Sequence, residues 1–421
     1  MPHSKSKVDK AGQALAKGNA RTEEELIELE SVFNDYRKSH LQPLTELTLE
    51  LQRWLTEYGA KYYIAQRLKR KPQIIRKLNR LHVRLSQLQD IGGCRIIVAD
   101  NRDVDRLAKF LAEKLSVTAK LKATDYREKG RDDTGYRALH LIFTRDSVSL
   151  ELQVRSQVQH YWAESIERTS VVYGHHLKEK EGDPRVVGYF KALSDVFYEI
   201  ESGRQPAPQS KIEIDRLREA TEAIIISSDT NKVFDSFVNE DIIKTLTAIE
   251  SRRSGFNNWI IVFNWNTGSF TTWDIIDRDP DLAAASYGDY ERQFPAQQGF
   301  GVVMIGSSDV ATVRETHSHY FGIASYDHVL EKLDQSVVGF SRRMDIDSDA
   351  RQVLLALYNR DFWGRKKACS IATLKNHYCQ SVFNFDASLR LLVEKDLVQV
   401  SSGGGPVSLN VKKTNEIKLY L

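Results

Sequence analysis

The stretch VSLELQVR, Val148 to Arg155, constrains this chain most, because its residues alternate with period two. Val148, Leu150, Leu152 and Val154 fall on one face of a strand, and Ser149, Glu151, Gln153 and Arg155 on the other, since successive strand side chains point to opposite sides. The apolar face asks for a core. The polar face carries a carboxylate, an amide and a guanidinium in line. It reads either as a solvated sheet face with an ion pair or as a polar floor for a charged, planar ligand such as a nucleotide. Just upstream, GYRALHLIF sets Tyr136 and His140 four residues apart, so a strand would put them on one face too.

The flanking segments bear on that choice. KYYIAQRLK reads as a strand with Lys61, Tyr63, Arg67 and Lys69 on a shared face. It leads into KPQIIRKLNRL, a short helix with Pro72 in its first turn, where a missing N–H costs little. From Arg67 to Arg80 the chain carries Arg67, Lys69, Arg70, Lys71, Arg76, Lys77 and Arg80 and no acidic residue. Such a run is either a solvated face or a corner that grips a polyphosphate with cations and helix N-terminal amides. In QLQDIGGCRIIVAD a buried strand follows Asp90, and Gly92 and Gly93 permit close backbone approach. SQVQHYWAESIERTSVVYG reads as a helix capped by Ser156, with His160, Glu164 and Arg168 on a polar face. GSSD lacks the glycines and lysine of a phosphate loop, and HSHY (His317 to Tyr320) lacks spaced metal-ligand partners.

A chain of 421 residues is too long for one ordinary core. The reading divides it into a flexible basic arm (1–21), a first unit (22–204), a linker (205–210), a small α/β domain (211–345) and a winged-helix-like domain (346–421). The first unit opens with two helices, one capped by Thr22 and one starting near Pro43. The linker contains RQPAPQS. The α/β domain would hold the hairpin WIIVFNWNTGSFTTWDII, helix DLAAASYGDYERQF, strand GFGVVMIG and helix DHVLEKLDQSVVGF. Three helices and a glycine-tipped hairpin suggest the last domain. From Arg351 onward it has 11 Lys+Arg against 5 Asp+Glu, a net +6, which permits DNA binding but equally suits a protein-interaction module. The whole chain is nearly balanced at +3, so any basic patch is local. Cys94, Cys369 and Cys379 are scattered, which fits a reducing compartment. No apolar run approaches the roughly 20 residues of a membrane span, and the start lacks a secretory h-region. The expectation is a cytoplasmic protein without a membrane partner.

Four segments in order resemble the synthetase domain of the RelA/SpoT family of nucleotide pyrophosphokinases. RLKRKPQIIRKL is similar to the family's ATP-binding corner, and QDIGGCRIIV to its magnesium-aspartate strand. TDYREKGRDDTGYRALH resembles the acceptor-binding loop and strand, and LELQVRSQVQHYWAE the strand and helix of the second carboxylate. The resemblance covers about half of the chain. It departs from the family at Gln73, where Ser is common, and at Thr134, where Asn is common, in a loop one residue longer than usual.

What the resemblance implies is an α+β, nucleotidyltransferase-like fold, a mixed sheet flanked by helices. It implies Mg2+-dependent transfer of pyrophosphate from ATP to the 3′-hydroxyl of GDP or GTP, making (p)ppGpp in a stringent response. Asp90 and Glu151 would be the catalytic and metal-binding carboxylates. Arg67, Lys69, Arg76 and Lys77 would grip ATP. Tyr136 would stack on the acceptor base, with His140, Gln153, Arg155, Arg127 and Lys129 around the acceptor. A toxin-type pyrophosphokinase acting on tRNA 3′ ends or adenine nucleotides, neutralised or triggered by its C-terminal half in toxin–antitoxin fashion, stays open. So do a homo-oligomer and a protein or DNA partner for the last domain. No His is followed directly by Asp, the signature of the family's hydrolase, so synthesis without hydrolysis is expected.

Overall fold

The computed structural model describes residues 3–115, 121–131, 133–204, 206–228, 255–307, 312–313, 316–317, 346, 348–380, 382, 384–401, 405–418 and 420. The expected basic arm is instead a capped helix, α1 (Lys5–Lys17). The Ser4 hydroxyl accepts from the Lys7 N–H at 3.3 Å, and Gly18 closes the helix with φ +64°. The lysines hide a short apolar stripe: Val8 and Ala11 are buried in a core with Leu78 and Leu85. Helix α2 (Glu23–Lys38) starts at the Thr22 cap with three glutamates in its first turn, where the helix dipole favours them. In α3 (Leu41–Tyr58), Leu47, Leu51 and Leu55 are fully buried.

A mixed sheet with helices on both sides follows. Its strands are β1 (Tyr63–Leu68), β2 (Gly92–Val98), β3 (Lys122–Asp125), β4 (Leu139–Arg145) and β5 (Val148–Ser156). Helix α4 (Lys71–Leu81) leaves β1, and α5 (Asn101–Leu115) leaves β2. β2 and β5 run parallel, pairing Gly93 with Glu151 and Arg95 with Gln153, while β1–β2, β3–β4 and β4–β5 are antiparallel. The alternation of β5 holds: Leu150, Leu152 and Val154 join Cys94, Ile96 and the leucines of α3 and α5 in one core. The opposite face is covered by α6 (Gln157–Tyr173), α7 (Pro184–Glu201) and α8 (Pro208–Ser228). Ser156 and Gln159 form a reciprocal capping box at the start of α6.

Two boundaries differ from expectation. The linker at 205–210 runs into α8, because Pro208 is tolerated in a first helical turn, and α8 packs on α7. The strands assigned to a separate α/β domain, β6 (Asn257–Asn264), β7 (Ser269–Ile276) and β8 (Phe300–Ser307), extend the first sheet. The order is β3-β4-β5-β2-β1-β8-β6-β7, with Arg67 opposite Ile305 and Gln66 opposite Gly306. Gly306 is required there: a Cβ would lie 2.4 Å from the Gln66 side chain. Helix α9 (Pro280–Gln293) packs on β7 and β8, and one core joins Phe33, Leu68 and Ile74 to Ile260, Tyr287 and Met304.

The last segment has its own core, built from α10 (Ser348–Asn359), a helical turn over Ile371–Tyr378, α11 (Phe385–Glu394) and the antiparallel pair β9 (Val398–Val400) and β10 (Val407–Leu409). It meets the rest through Lys61, whose ammonium donates to the Gln380 and Val382 carbonyls at 3.1 and 3.0 Å. The expected helix DHVLEKLDQSVVGF and the part of HSHY after His317 lie outside the described residues. Among those described, no helix is long and apolar enough to cross a membrane.

Candidate active site

The polar face of β5 closes into a ring of hydrogen bonds. The Tyr136 hydroxyl lies 2.7 Å from His140 Nε2, and His140 Nδ1 lies 2.8 Å from Glu151 Oε1. Gln153 Nε2 donates to Glu151 Oε2 at 2.7 Å, and Arg155 Nη2 donates to both Gln153 Oε1 and the Tyr136 oxygen at 2.8 Å. The ring exists because alternation puts residues 151, 153 and 155 on one face, and the β4–β5 register sets His140 opposite Gln153. Glu151, Arg155, His140 and Tyr136 are all buried, so each bond is worth more than in water.

Burial sets the charges of this ring against their partners. It pushes the Glu151 carboxyl up, but the His140 hydrogen bond and charge outweigh it and hold Glu151 below its ordinary value. Burial likewise opposes the His140 imidazolium, yet Tyr136 and Glu151 together raise it. The Tyr136 phenol, also pushed up by burial, is drawn down to about 8 by Arg155 and then His140. The arrangement favours an ionised Glu151 beside a protonated His140.

At the same end of the sheet, three residues before Gly93, stands Asp90. Lys69 Nζ and Lys77 Nζ both donate to Asp90 Oδ2 at 2.7 Å. Burial works against the carboxylate, but the two ammonium groups win and hold it well below the usual range. Asp90 Oδ1 is buried without a hydrogen-bond partner. The charges of Asp90 and Glu151 act on each other. Among the described residues no group of three or more His, Cys, Asp or Glu is arranged as a metal cage. Two near carboxylates, one with an unused buried oxygen, are what Mg2+ takes when substrate phosphates supply other ligands.

The predicted residues divide as follows. Lys69, Lys77 and Asp90 come together, as do Tyr136, His140, Glu151, Gln153 and Arg155. Arg67, one residue before the end of β1, is close enough to lower the Lys69 ammonium, which burial lowers most. Arg76 lies beside His176, whose imidazole is pushed down by burial and then by the Arg76 charge. Arg127 is withdrawn: it donates to both Asp125 oxygens and to Asp105, on the rim formed by α5. Lys129 is exposed in the adjoining turn. Tyr136 presents no open ring, because it is only 8% exposed and the Arg155 guanidinium lies 5.0 Å over its face.

Four further titratable groups near the site were missed as site residues. Arg95 on β2 is buried and donates to the Thr316 carbonyl at 2.7 Å, with Glu164 at 3.5 Å. Burial, then the Arg155 charge, pull its guanidinium down to about 10. Its signal was present, since a lone arginine between Cys94 and Ile96 must fall on the face opposite the core. Glu164 and His160 are buried rather than on a solvated helix face, and Glu164 lies against Arg95 of the sheet. Lys178, paired with Glu167 at 2.9 Å, follows the end of α6 and feels Arg155 and Glu164.

A mixed sheet flanked by helices, with paired carboxylates and a basic strand-to-helix corner on one face, defines a nucleotidyltransferase-like α/β enzyme domain. Residues 66–178 match the family model described as "Region found in RelA / SpoT proteins", so that part of the chain is similar to this region of RelA/SpoT proteins. Among solved structures, the small alarmone synthetase 2 from Bacillus subtilis is 19% identical over 40% of this chain and 94% of its own, with a TM-score of 0.34. The small alarmone synthetase 1 from Bacillus subtilis, bound to its product pppGpp, is 21% identical over 44% and 94%, with a TM-score of 0.31. A GTP pyrophosphokinase family protein from Streptococcus pneumoniae is 20% identical over 46% and 96%, with a TM-score of 0.33. A comparison with curated protein sequences finds no match.

Proposed function

We propose that this protein transfers the β,γ-pyrophosphate of ATP to the 3′-hydroxyl of GDP or GTP, forming (p)ppGpp and releasing AMP, without hydrolysing the product. The observation that carries this reading is the pairing, on one sheet face, of Glu151 in its hydrogen-bonded ring with Asp90 between two lysines. Asp90 and Glu151 would hold Mg2+, which when bound neutralises charge on the transferred group. Lys69, Lys77, Arg67 and Arg76 grip the donor phosphates. An ionised Glu151 accepts the proton of the 3′-hydroxyl as its oxygen attacks the β-phosphorus and the bond to the α-phosphate oxygen breaks. His140, held on Glu151, keeps that carboxylate charged and aimed. Gln153, Arg155 and Tyr136 shape the acceptor side, and stacking of Tyr136 on the base would require Arg155 to move off its ring. Arg127 and Lys129 would reach the acceptor only after the loop shifts. The segment from residue 346 is read as a winged-helix-like module for a protein or DNA partner.

The test offers the purified protein Mg2+ and γ-labelled ATP with GDP, GTP, AMP and deacylated tRNA in parallel. Label is expected in the guanine nucleotide, and Glu151→Ala should lower the rate at least about 100-fold, the usual weight of a general base. Label confined to tRNA or adenine nucleotide would move the protein to the toxin-type reaction. No label in any acceptor, and none lost on Glu151→Ala, would end the catalytic reading.

A further inference from the structure

The cations that join β1 to α4 go separate ways. Lys69 reaches Asp90 at 2.7 Å, and Lys71 reaches Glu30 on α2 at 2.5 Å. Arg70 turns to neither: its guanidinium carbon lies 4.9 Å from the centre of the Trp265 ring, just past β6. That indole packs with the cluster containing Ala65 and Tyr136, so it lies on the site face of the sheet. The Trp265 backbone is held by its N–H, which donates to the Gly299 carbonyl at 2.8 Å, and the ring by Phe263 edge-on at 5.0 Å. Gly301 makes the room. A Cβ there would fall 2.3 Å from Trp265 Nε1 and 2.8 Å from Arg70 Nη1.

Arg70 is also the N-cap of α4, seven residues before Lys77. Two helical turns put both on one stripe, and Lys77 ends at Asp90. Stacking uses the flat face of a guanidinium and leaves its in-plane N–H edges as donors, the geometry that meets phosphate oxygens in pairs.

We propose that Trp265 is a positioning residue of the donor site, holding the Arg70 guanidinium so that its N–H edge takes phosphate oxygens of the donor nucleotide. The hairpin β6–β7 is thereby part of the enzyme centre. This rests on the donor-site reading above.

The experiment measures Mg–ATP binding by calorimetry, and KM for ATP and for the acceptor, in the full-length wild type, Trp265→Ala, Trp265→Phe, Arg70→Ala and the double alanine variant. Trp265→Ala should weaken ATP binding and raise its KM about five- to ten-fold, the size of one cation–π contact. The acceptor KM should stay unchanged. Trp265→Phe should recover most of the loss, and Trp265→Ala should add nothing once Arg70 is alanine. Unchanged ATP binding in a folded Trp265→Ala, or effects that add, would overturn the proposal while leaving the donor site intact. If Trp265→Ala does not fold, Arg70→Ala decides, and normal ATP affinity there overturns it. A wild type that binds no ATP removes the donor-site reading itself.

Discussion

At the scale of single residues, Glu151 depends on His140. Its ordinary value is 4.5, and burial alone would raise it; the imidazolium at 2.8 Å reverses the sign. Because the folded state holds Glu151 below its unfolded value, its contribution to stability is present at neutral pH and lost as pH falls through the folded value. His140 is raised above 6.5, so its contribution is full below that and lost as pH rises through the folded value. The pair therefore stabilises most in mildly acid to neutral solution. In His140→Gln, burial wins at Glu151 and its pKa rises above 4.5. The acid limb of the kcat/KM profile should then move to higher pH. An acid limb at the wild-type position would show that His140 does not set the charge of Glu151. Arg155→Lys should also reduce activity, since an ammonium lies less readily over Tyr136 while bonding Gln153.

At the scale of elements, Arg37 on α2 ties the early helices to the later strands. Its Nη1 and Nη2 donate to Glu291 on α9 at 2.8 and 3.2 Å, its Nε donates to the Lys69 carbonyl at 3.2 Å, and its guanidinium lies 5.0 Å over Tyr287. Removing one partner strands a buried charge, so Glu291→Ala should cost about 3–5 kcal/mol in urea unfolding. A loss below about 1 kcal/mol would mean that the pair does not hold α9 in place. Local signals made much of this architecture legible. Period two fixed the faces of β5, Thr22 and Ser156 marked their helices, and the aromatic run from Trp259 gave the β6–β7 hairpin. Other features depend on distant chain. Nothing local in GFGVVMIG says that it pairs with a strand more than 200 residues earlier, although a strand apolar on both faces does ask for two neighbours. Arg127 read as a ligand through the family resemblance alone, whereas Asp105, on α5, claims it.

At the scale of the whole molecule, the sheet argues against a catalytic half and a detachable regulatory half. β1 carries Arg67 and leads to Lys69, and it lies between β2 and β8. A chain cut after residue 204 would leave β1 as an edge and strip Ile260, Val262, Tyr287, Val302 and Met304 from the core that supports Leu68, Ile74 and Leu78. An unpaired edge above an opened core favours aggregation over catalysis. The 1–204 fragment should therefore be insoluble or inactive, whereas release from an inhibitory half would make it more active than the full chain. The last segment is a different case, because its buried residues form a separate cluster of their own. Deleting residues 346–421 removes the Lys61 contacts with Gln380 and Val382, at the end of β1 away from Lys69. That truncation should keep both its fold and its ATP-dependent transfer, read by circular dichroism and by label in the acceptor. If 1–204 were soluble and fully active, strands β6–β8 would be dispensable to the site. If 1–345 were inactive though folded, the final segment would belong to the enzyme centre as well.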